Sequence, residues 1–147
     1  MTWACEACGR EFGKRQSHVC VPAMSPDAYF AGRPPVEREI FETVRQFLFE
    51  LGPVIVEPVS IGILFKAERT FAVLRPRTKW VELSFGLERT LDHLRITRTE
   101  RTNTPRTYHG VRLREPNDFD SQVREWLAES YRTVGATPAR RGLSRVR

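Results

Sequence analysis

Four residues near the start of the chain have the types and the spacing of a zinc-binding site. Cys5 and Cys8 form a Cys-x2-Cys pair, and His18-x-Cys20 follows after nine residues. Thiolates and imidazole nitrogens are the usual ligands of structural zinc, and a Cys-x-x-Cys pair can place two sulfurs on one tight turn. The sequence therefore predicts a structural Zn²⁺ held by Cys5, Cys8, His18 and Cys20, with no open position for catalysis.

The residues around these ligands fit the same interpretation, although other uses of the cysteines stay open. Gly9 relieves the backbone where the turn must curl around the ion, and Phe12 and Trp3 are placed to cover the site. So short a segment buries little apolar surface, and metal binding would supply most of its folding free energy. The alternatives are a redox Cys-x-x-Cys motif, which needs a following helix in a larger α/β domain, and cysteines that bind no metal.

Positive charge is concentrated in the middle of the chain and in its last residues. The chain has 147 residues and a net charge of +6. Residues 66–114 contain 12 basic and five acidic residues, and residues 136–147 add four arginines. Such clustering favours an anionic partner, either nucleic acid or an acidic protein. The alternative is a solvated surface that only keeps the protein soluble.

The periodicity of the apolar residues predicts two helices with several strands between them. Residues 36–51 have the spacing of an amphipathic helix, and Gly52-Pro53 would end it. A second amphipathic helix has Asn117 or Asp118 as its N-cap and stops at Gly135. The strand-like segments between the helices are 54–59, 61–66, 71–75, 80–85, 94–98 and 108–114.

Alternation within these segments indicates an antiparallel sheet with one apolar and one polar face. Val81, Leu83 and Phe85 share one face, and Trp80, Glu82 and Ser84 share the other. In the segment 94–98, Leu94 would lie on the face opposite to Arg95. Both helices are expected to pack on the apolar face, which gives an α+β domain of two layers.

The chain is thereby divided into four parts. They are a zinc knuckle at 1–21, a linker at 22–35, the α+β domain at 36–135 and a basic tail at 136–147 that we expect to be disordered. Tyr29 and Phe30 in the linker would dock on the domain that follows. No apolar run is long enough to span a membrane, and the first residues lack the features of a secretory signal. We therefore expect no membrane association and a cytoplasmic location.

The polar sheet face is the candidate binding surface. Arginine side chains can contact phosphates, and an exposed tryptophan can stack on a base. The sequence therefore predicts a non-catalytic module that contacts nucleic acid or another acidic partner through Arg75, Arg77, Lys79, Trp80, Arg95, Arg112 and Arg114. The alternative is a solvated face on which Trp80 packs against the linker or the zinc knuckle.

A second hypothesis is an enzyme that acts on a phosphorylated substrate. His109 follows Tyr108 in a polar region near Arg98, Glu100 and Arg106. A histidine beside an acid could carry out acid–base chemistry. More often such a pair is structural, and the sequence contains no convincing catalytic constellation.

The order of these segments resembles a known family. The run Trp3-x-Cys5-x-x-Cys8-Gly9-Arg10-x-Phe12, then His18-x-Cys20, resembles the zinc knuckle of small bacterial proteins. In them it precedes a domain of unknown function, family 5655, sometimes labelled a predicted transport protein. The stretches Leu51-Gly52-Pro53-Val54, Phe65-Lys66-Ala67 and Val111-Arg112-Leu113 are similar to that domain. The resemblance covers nearly the whole chain, and it implies no particular activity.

Overall fold

A computed structural model describes residues 2–6, 10–13 and 24–136 of the chain. These parts contain eight strands and three α-helices, with a 3-10 turn at Pro116–Asp118 and a π-helical turn at Tyr131–Gly135. In chain order the strands and helices are β1 Thr2–Ala4, β2 Glu11–Gly13, α1 Pro26–Phe30, α2 Pro35–Leu51, β3 Ile55–Val59, β4 Gly62–Lys66, β5 Thr70–Pro76, β6 Val81–Leu87, β7 Arg98–Arg101, β8 Thr107–Leu113 and α3 Ser121–Ser130.

Six of the strands form one antiparallel sheet in the order β3-β4-β5-β6-β8-β7. The first four neighbour each other in the chain, because short turns join adjacent antiparallel strands. β7 is the edge strand and pairs with β8. After β6 the chain therefore passes over the position of β8 to form β7, and it then returns to form β8 between the two. The predicted α+β class with an antiparallel sheet is confirmed.

The helices cover one face of this sheet. Phe41 of α2 stacks on Phe65 of β4 at 6.3 Å between ring centroids, and Trp126 of α3 stacks on Phe85 at 6.1 Å. Val81, Leu83 and Phe85 are at most 2% exposed, as the alternation predicts. Each such side chain contributes roughly 1.5–3 kcal/mol on burial. The register of β6 therefore leaves Glu82 and Ser84 on the opposite face.

The end of α2 is fixed by contact with the end of α3. Gly52 has a φ of 157°, and a Cβ there would collide with the Tyr131 hydroxyl. That hydroxyl donates to the Pro53 carbonyl at 3.2 Å. Only glycine leaves room for this close approach. The predicted stop at Gly52-Pro53 is confirmed.

The start of α3 differs from the prediction, which named Asn117 or Asp118 as the N-cap. The N-cap is Asp120, whose carboxylate accepts from the Val123 amide at 3.1 Å. Asp118 instead accepts from the Arg114 amide at 2.7 Å and closes the turn that follows β8. Asn117, Asp118 and Asp120 are all residue types that can cap a helix. Because Asp118 is used in the turn after β8, Asp120 caps α3.

The predicted strand at 94–98 is wrong. Leu94 is 99% exposed, and the strand begins only at Arg98. His93 forms a turn, because its Nδ1 accepts from the Arg95 amide at 3.0 Å and its carbonyl accepts from the Ile96 amide at 3.1 Å. The apolar residues Leu94 and Ile96 imitate strand alternation, although the segment is a connection between β6 and β7.

The predicted linker at 22–35 contains a short helix, α1. Ser25 caps this helix by accepting from the Ala28 amide at 3.0 Å. Tyr29 and Phe30 are 5% and 7% exposed, and Phe30 lies 5.3 Å from Phe41. The expectation that both aromatic rings dock on the domain is confirmed. None of the helices in the described part of the chain is both long and apolar enough to cross a bilayer.

The ribbon formed by β1 and β2 packs on β3 and β4. Lys66 alternates with the core residues of β4, so it lies on the face away from the helices. Glu57 bonds both Arg10 Nε at 3.0 Å and Lys66 Nζ at 2.9 Å, and all three residues are at most 6% exposed. The Lys66 ammonium lies 3.8 Å from the Phe12 ring centroid. The ribbon therefore docks through a buried ionic cluster and not on Trp80.

Candidate anion-binding groove

An open groove of about 760 Å³ lies on the face of the sheet that carries no helix. It contains four arginines, one carboxylate and one tryptophan. We call it the arginine groove, and its lining residues are Arg33, Pro76, Arg77, Thr78, Trp80, Glu82, Thr97, Arg98 and Arg112. Four guanidinium groups against one carboxylate give the groove an excess of positive charge.

Glu82 lies at the centre of the arginine groove and is 7% exposed. Its Oε1 is 3.1 Å from Arg77 Nη2 and 3.8 Å from Arg98 Nη1. On the neighbouring strands it faces Arg75 of β5 and Arg112 of β8. A buried carboxylate must be paired, so these contacts tie it to the surrounding arginines.

Gly110 of β8 makes room for this carboxylate. A Cβ at position 110 would lie 2.6 Å from Glu82 Oε2 and 3.3 Å from Arg98 Cβ. The side chains of Glu82 and Arg98 therefore meet above the bare backbone of Gly110. This explains why a strand that is otherwise rich in large residues has a glycine at this position.

Trp80 forms one wall of the arginine groove, directly before β6. The Arg112 guanidinium carbon lies 3.9 Å from its ring centroid, and that of Arg114 lies 5.7 Å away. Arg112 belongs to β8 and Arg114 directly follows that strand, and both reach the ring. Cation–π contacts of this kind contribute about 0.5–1 kcal/mol at exposed sites. They hold the indole and the Arg112 guanidinium in fixed relation.

The structure brings together only some of the residues that the sequence predicted for this surface. Arg77, Trp80 and Arg112 line the arginine groove, Arg75 neighbours Glu82, and Lys79 and Arg114 lie beside Trp80. Arg95 is elsewhere: its guanidinium bonds the Asp120 carboxylate at 2.6 Å and the Asp118 carbonyl at 2.9 Å. It belongs to the start of α3, because the segment around it is not a strand.

Sequence reasoning missed Arg33, Thr97 and Arg98 as groove residues. Arg98 begins β7, and its outward position follows once the strand is correctly bounded. Arg33 lies between α1 and α2, where its Nε donates to the Tyr29 carbonyl at 3.1 Å. No local sequence pattern indicates that the connection between α1 and α2 reaches the sheet. Its position depends on tertiary packing alone.

His109 lies on the other face of the sheet, under the helices. It is 1% exposed, its ring stacks on Phe85 at 5.6 Å, and its Nε2 accepts from the Leu91 amide at 3.0 Å. Burial lowers the pKa of His109, and the nearby Arg89 guanidinium lowers it further. Arg112 stands three positions along the same strand, so the two side chains point to opposite faces.

Of the four predicted zinc ligands, Cys5 is within the described residues and Cys8, His18 and Cys20 are outside them. Cys5 follows β1 directly, and its amide donates to the Arg10 carbonyl at 2.9 Å. This bond closes the loop between β1 and β2. A Cys-x-x-Cys pair on such a tight loop suits two thiolate ligands of one ion.

The fold and the surface define a two-layer α+β domain with an arginine-lined groove on its open face. Residues 26–134 match the family described as Domain of unknown function (DUF5655), so the chain belongs to this family. The predicted resemblance is confirmed for this domain, and the proposed zinc knuckle lies outside the matched residues. Neither the curated proteins nor the solved structures give a match to the chain.

Proposed function

We propose that the arginine groove binds single-stranded nucleic acid and that the protein is a binding module without catalytic activity. The observation that carries this proposal is that Arg77, Arg98 and Arg112 line one open groove together with Trp80. Guanidinium groups contact phosphates of any sequence, and an aromatic side chain stacks on any base.

The stacking surface favours a single strand over other anions. Arg112 lies over one face of the Trp80 ring, with its guanidinium carbon 3.9 Å from the ring centroid. Both indole and guanidinium planes stack on unpaired bases. A duplex keeps its bases stacked on each other, and an acidic peptide has no bases, so neither would use this surface.

Glu82 moderates the affinity without closing the groove. Its carboxylate compensates part of the positive charge and holds the arginines in place through contacts at 3.1 and 3.8 Å. Arg33 and Arg98 also form ion pairs with Glu37 and Glu100, at 3.6 and 3.7 Å, and a phosphate would compete with these contacts. A surface of this kind is expected to bind with a strong dependence on salt, because each phosphate contact releases condensed counterions.

We also propose that Cys5, Cys8, His18 and Cys20 hold one structural Zn²⁺. The position of Cys5 on the closed loop between β1 and β2 supports this proposal. When bound, the ion would cross-link the N-terminal segment. The ribbon that carries Cys5 is itself docked by Arg10 and Phe12 on Glu57 and Lys66, so the zinc site would be fixed to the β3–β4 edge of the domain.

The test is a titration with four labelled probes: single-stranded RNA, single-stranded DNA, duplex DNA and polyglutamate, each at low and moderate salt. We expect the single strands to bind most tightly, with a salt slope of about −0.7 per phosphate contact. Replacing the stacking ring in Trp80→Leu should weaken single-strand binding by roughly 1–3 kcal/mol for each stacked base. Duplex binding should change little.

Trp3→Leu is the matched control, because Trp3 is 39% exposed and lies on the ribbon, outside the groove. It should leave all affinities unchanged. Tighter binding of polyglutamate than of either single strand would point to an acidic protein as the partner. An absence of single-strand binding at low salt would reject the proposed function.

A further inference from the structure

A second, smaller cleft adjoins the arginine groove at Trp80. It has a volume of about 200 Å³ and is enclosed by the start of α2 and the turn between β5 and β6. Pro34, Val36 and Ile40 supply apolar walls. Arg77, Thr78 and Trp80 line both spaces. A ligand in the groove could therefore extend past the indole into the cleft.

Glu37, in the first turn of α2, lines this cleft and has a buried oxygen that accepts no hydrogen bond within the described residues. The side chain is 10% exposed, and its Oε1 makes no hydrogen bond within the described part of the chain. Oε1 forms an ion pair with Arg33, whose Nη1 lies 3.6 Å away, a distance too long for a hydrogen bond. Buried polar atoms are nearly always hydrogen-bonded in native proteins. The Glu37 carboxylate therefore keeps the capacity to accept a hydrogen bond from a donor in the cleft.

We propose that the cleft takes a nucleobase that carries an exocyclic amino group, with the amino group donating to Glu37. The proposal rests on the proposed function, because the arginine groove would hold the adjoining phosphates. Apolar walls and the Trp80 ring suit the faces of a base, and the carboxylate suits a donor on its edge. The terminal torsion of a glutamate is broad, so a small rotation brings either oxygen toward the base.

This arrangement predicts a preference that overall charge cannot produce. Cytosine and uracil have the same size and the same backbone charge, but cytosine presents an N4 amino group where uracil presents a carbonyl oxygen. A carboxylate accepts from the amino group. Against uracil, the carboxylate would face the O4 acceptor at this position and would gain a donor only if the base shifted to present its N3–H.

The experiment compares oligocytidine and oligouridine of equal length at neutral pH and the same salt concentration. We expect the wild-type protein to bind oligocytidine roughly tenfold more tightly. Glu37→Gln should abolish this preference, because an amide can offer either an acceptor to cytosine or a donor to uracil. Glu39→Gln is the control: Glu39 is exposed on the same helix, and the change in charge is the same. This variant should keep the preference.

Each result separates this inference from the proposed function. Equal affinity for the two oligonucleotides, with Trp80-dependent binding intact, would overturn the base-binding cleft and leave the arginine groove as a single-strand site. A cytosine preference that survives Glu37→Gln would overturn the role of Glu37. The absence of binding to both oligonucleotides would overturn the proposed function together with this inference.

Discussion

At the scale of single residues, Glu82 has two effects on the arginine groove. It lies among Arg75, Arg77, Arg98 and Arg112, and it is itself 7% exposed. A carboxylate in this position reduces the repulsion between the guanidinium groups, and removing one partner of a buried pair is costly. Because one carboxylate faces several arginines, the groove stays positive. In the proposed function, a phosphate would bind there while Glu82 keeps its own contacts.

His109 has a structural role that can be tested by its pH dependence. Its pKa is lowered in the folded protein, chiefly by burial, and Arg89 acts in the same direction while Glu129 opposes it. The unfolded chain therefore binds more protons than the folded protein once the pH falls below about 6.5. The stability contributed by neutral His109 is complete above that pH and decreases as the pH falls through the window below it.

We expect His109→Gln to flatten this decrease, because glutamine keeps an acceptor for the Leu91 amide and does not titrate. The measurement is the free energy of unfolding from denaturant curves between about pH 5 and pH 7.5. His93→Gln is the control, because His93 is exposed. Glu129 also has a lowered pKa, caused mainly by its bond to Arg89, but it affects stability only at more acidic pH. An unchanged slope in His109→Gln would contradict the assignment.

For single residues, the sequence predicts well which face of the sheet a side chain lies on, but it predicts poorly which residues that side chain contacts. The two-residue period of β6 places Val81, Leu83 and Phe85 in the core and leaves Trp80 and Glu82 outside, as observed. The same kind of pattern misleads at Leu94, where a turn at His93 interrupts the strand. Periodicity describes a segment that is already extended, and it does not reveal whether the segment is extended.

At the scale of the elements, the N-terminal ribbon depends on a cluster that no local pattern indicates. Lys66 is 1% exposed at the end of β4, and its partners come from β3 and from the ribbon. Glu57 also accepts from the Glu11 amide at 2.8 Å. A buried lysine is costly unless it is paired, so the three segments must be assembled together. Sequence reasoning could not foresee this, because the partners are up to 55 residues apart.

The metal content of the N-terminal segment can be tested directly. Protein purified without added metal should contain about one equivalent of zinc, because four thiolate and imidazole ligands bind this ion tightly. Cys5→Ser combined with Cys8→Ser should reduce the content to near zero in elemental analysis. His93→Gln, which changes a histidine outside the motif, should retain the metal. Wild-type protein with far less than one equivalent would refute the zinc site.

The segment that contains α1 and the connection to α2 also differs from the prediction. The composition of residues 22–35 predicts a linker, yet Tyr29 and Phe30 belong to the core and Arg33 reaches the arginine groove. The prolines that indicate a linker also start helices, since Pro26 and Pro35 each begin one. The docking of the aromatic rings then brings Arg33 to the arginine groove and Glu37 to the smaller cleft. Composition alone contains no information about that placement.

At the scale of the whole molecule, the two faces of the sheet are covered differently. One face is buried under α2 and α3, and it contains His109. The other is shared between the ribbon, which covers Glu57 and Lys66, and the arginine groove across β5, β6, β7 and β8. The basic residues that are in excess between positions 66 and 114 therefore lie at several separate places in the fold. Lys66 is buried in the ribbon interface, Arg95 is bound to Asp120, and Arg77, Arg98 and Arg112 line the groove.

The most direct test of the account asks whether the position of the arginines matters or only their number. Arg98→Ala with Arg112→Ala removes two charges from the groove, and Arg101→Ala with Arg132→Ala removes two exposed charges outside it. The measurement is the affinity for one labelled single strand over a series of salt concentrations. We predict a strong loss of affinity in the groove variant and a salt slope smaller by about 1.4, with little change in the control. Equal losses in the two variants would contradict the account, because binding would then follow net charge and not the groove.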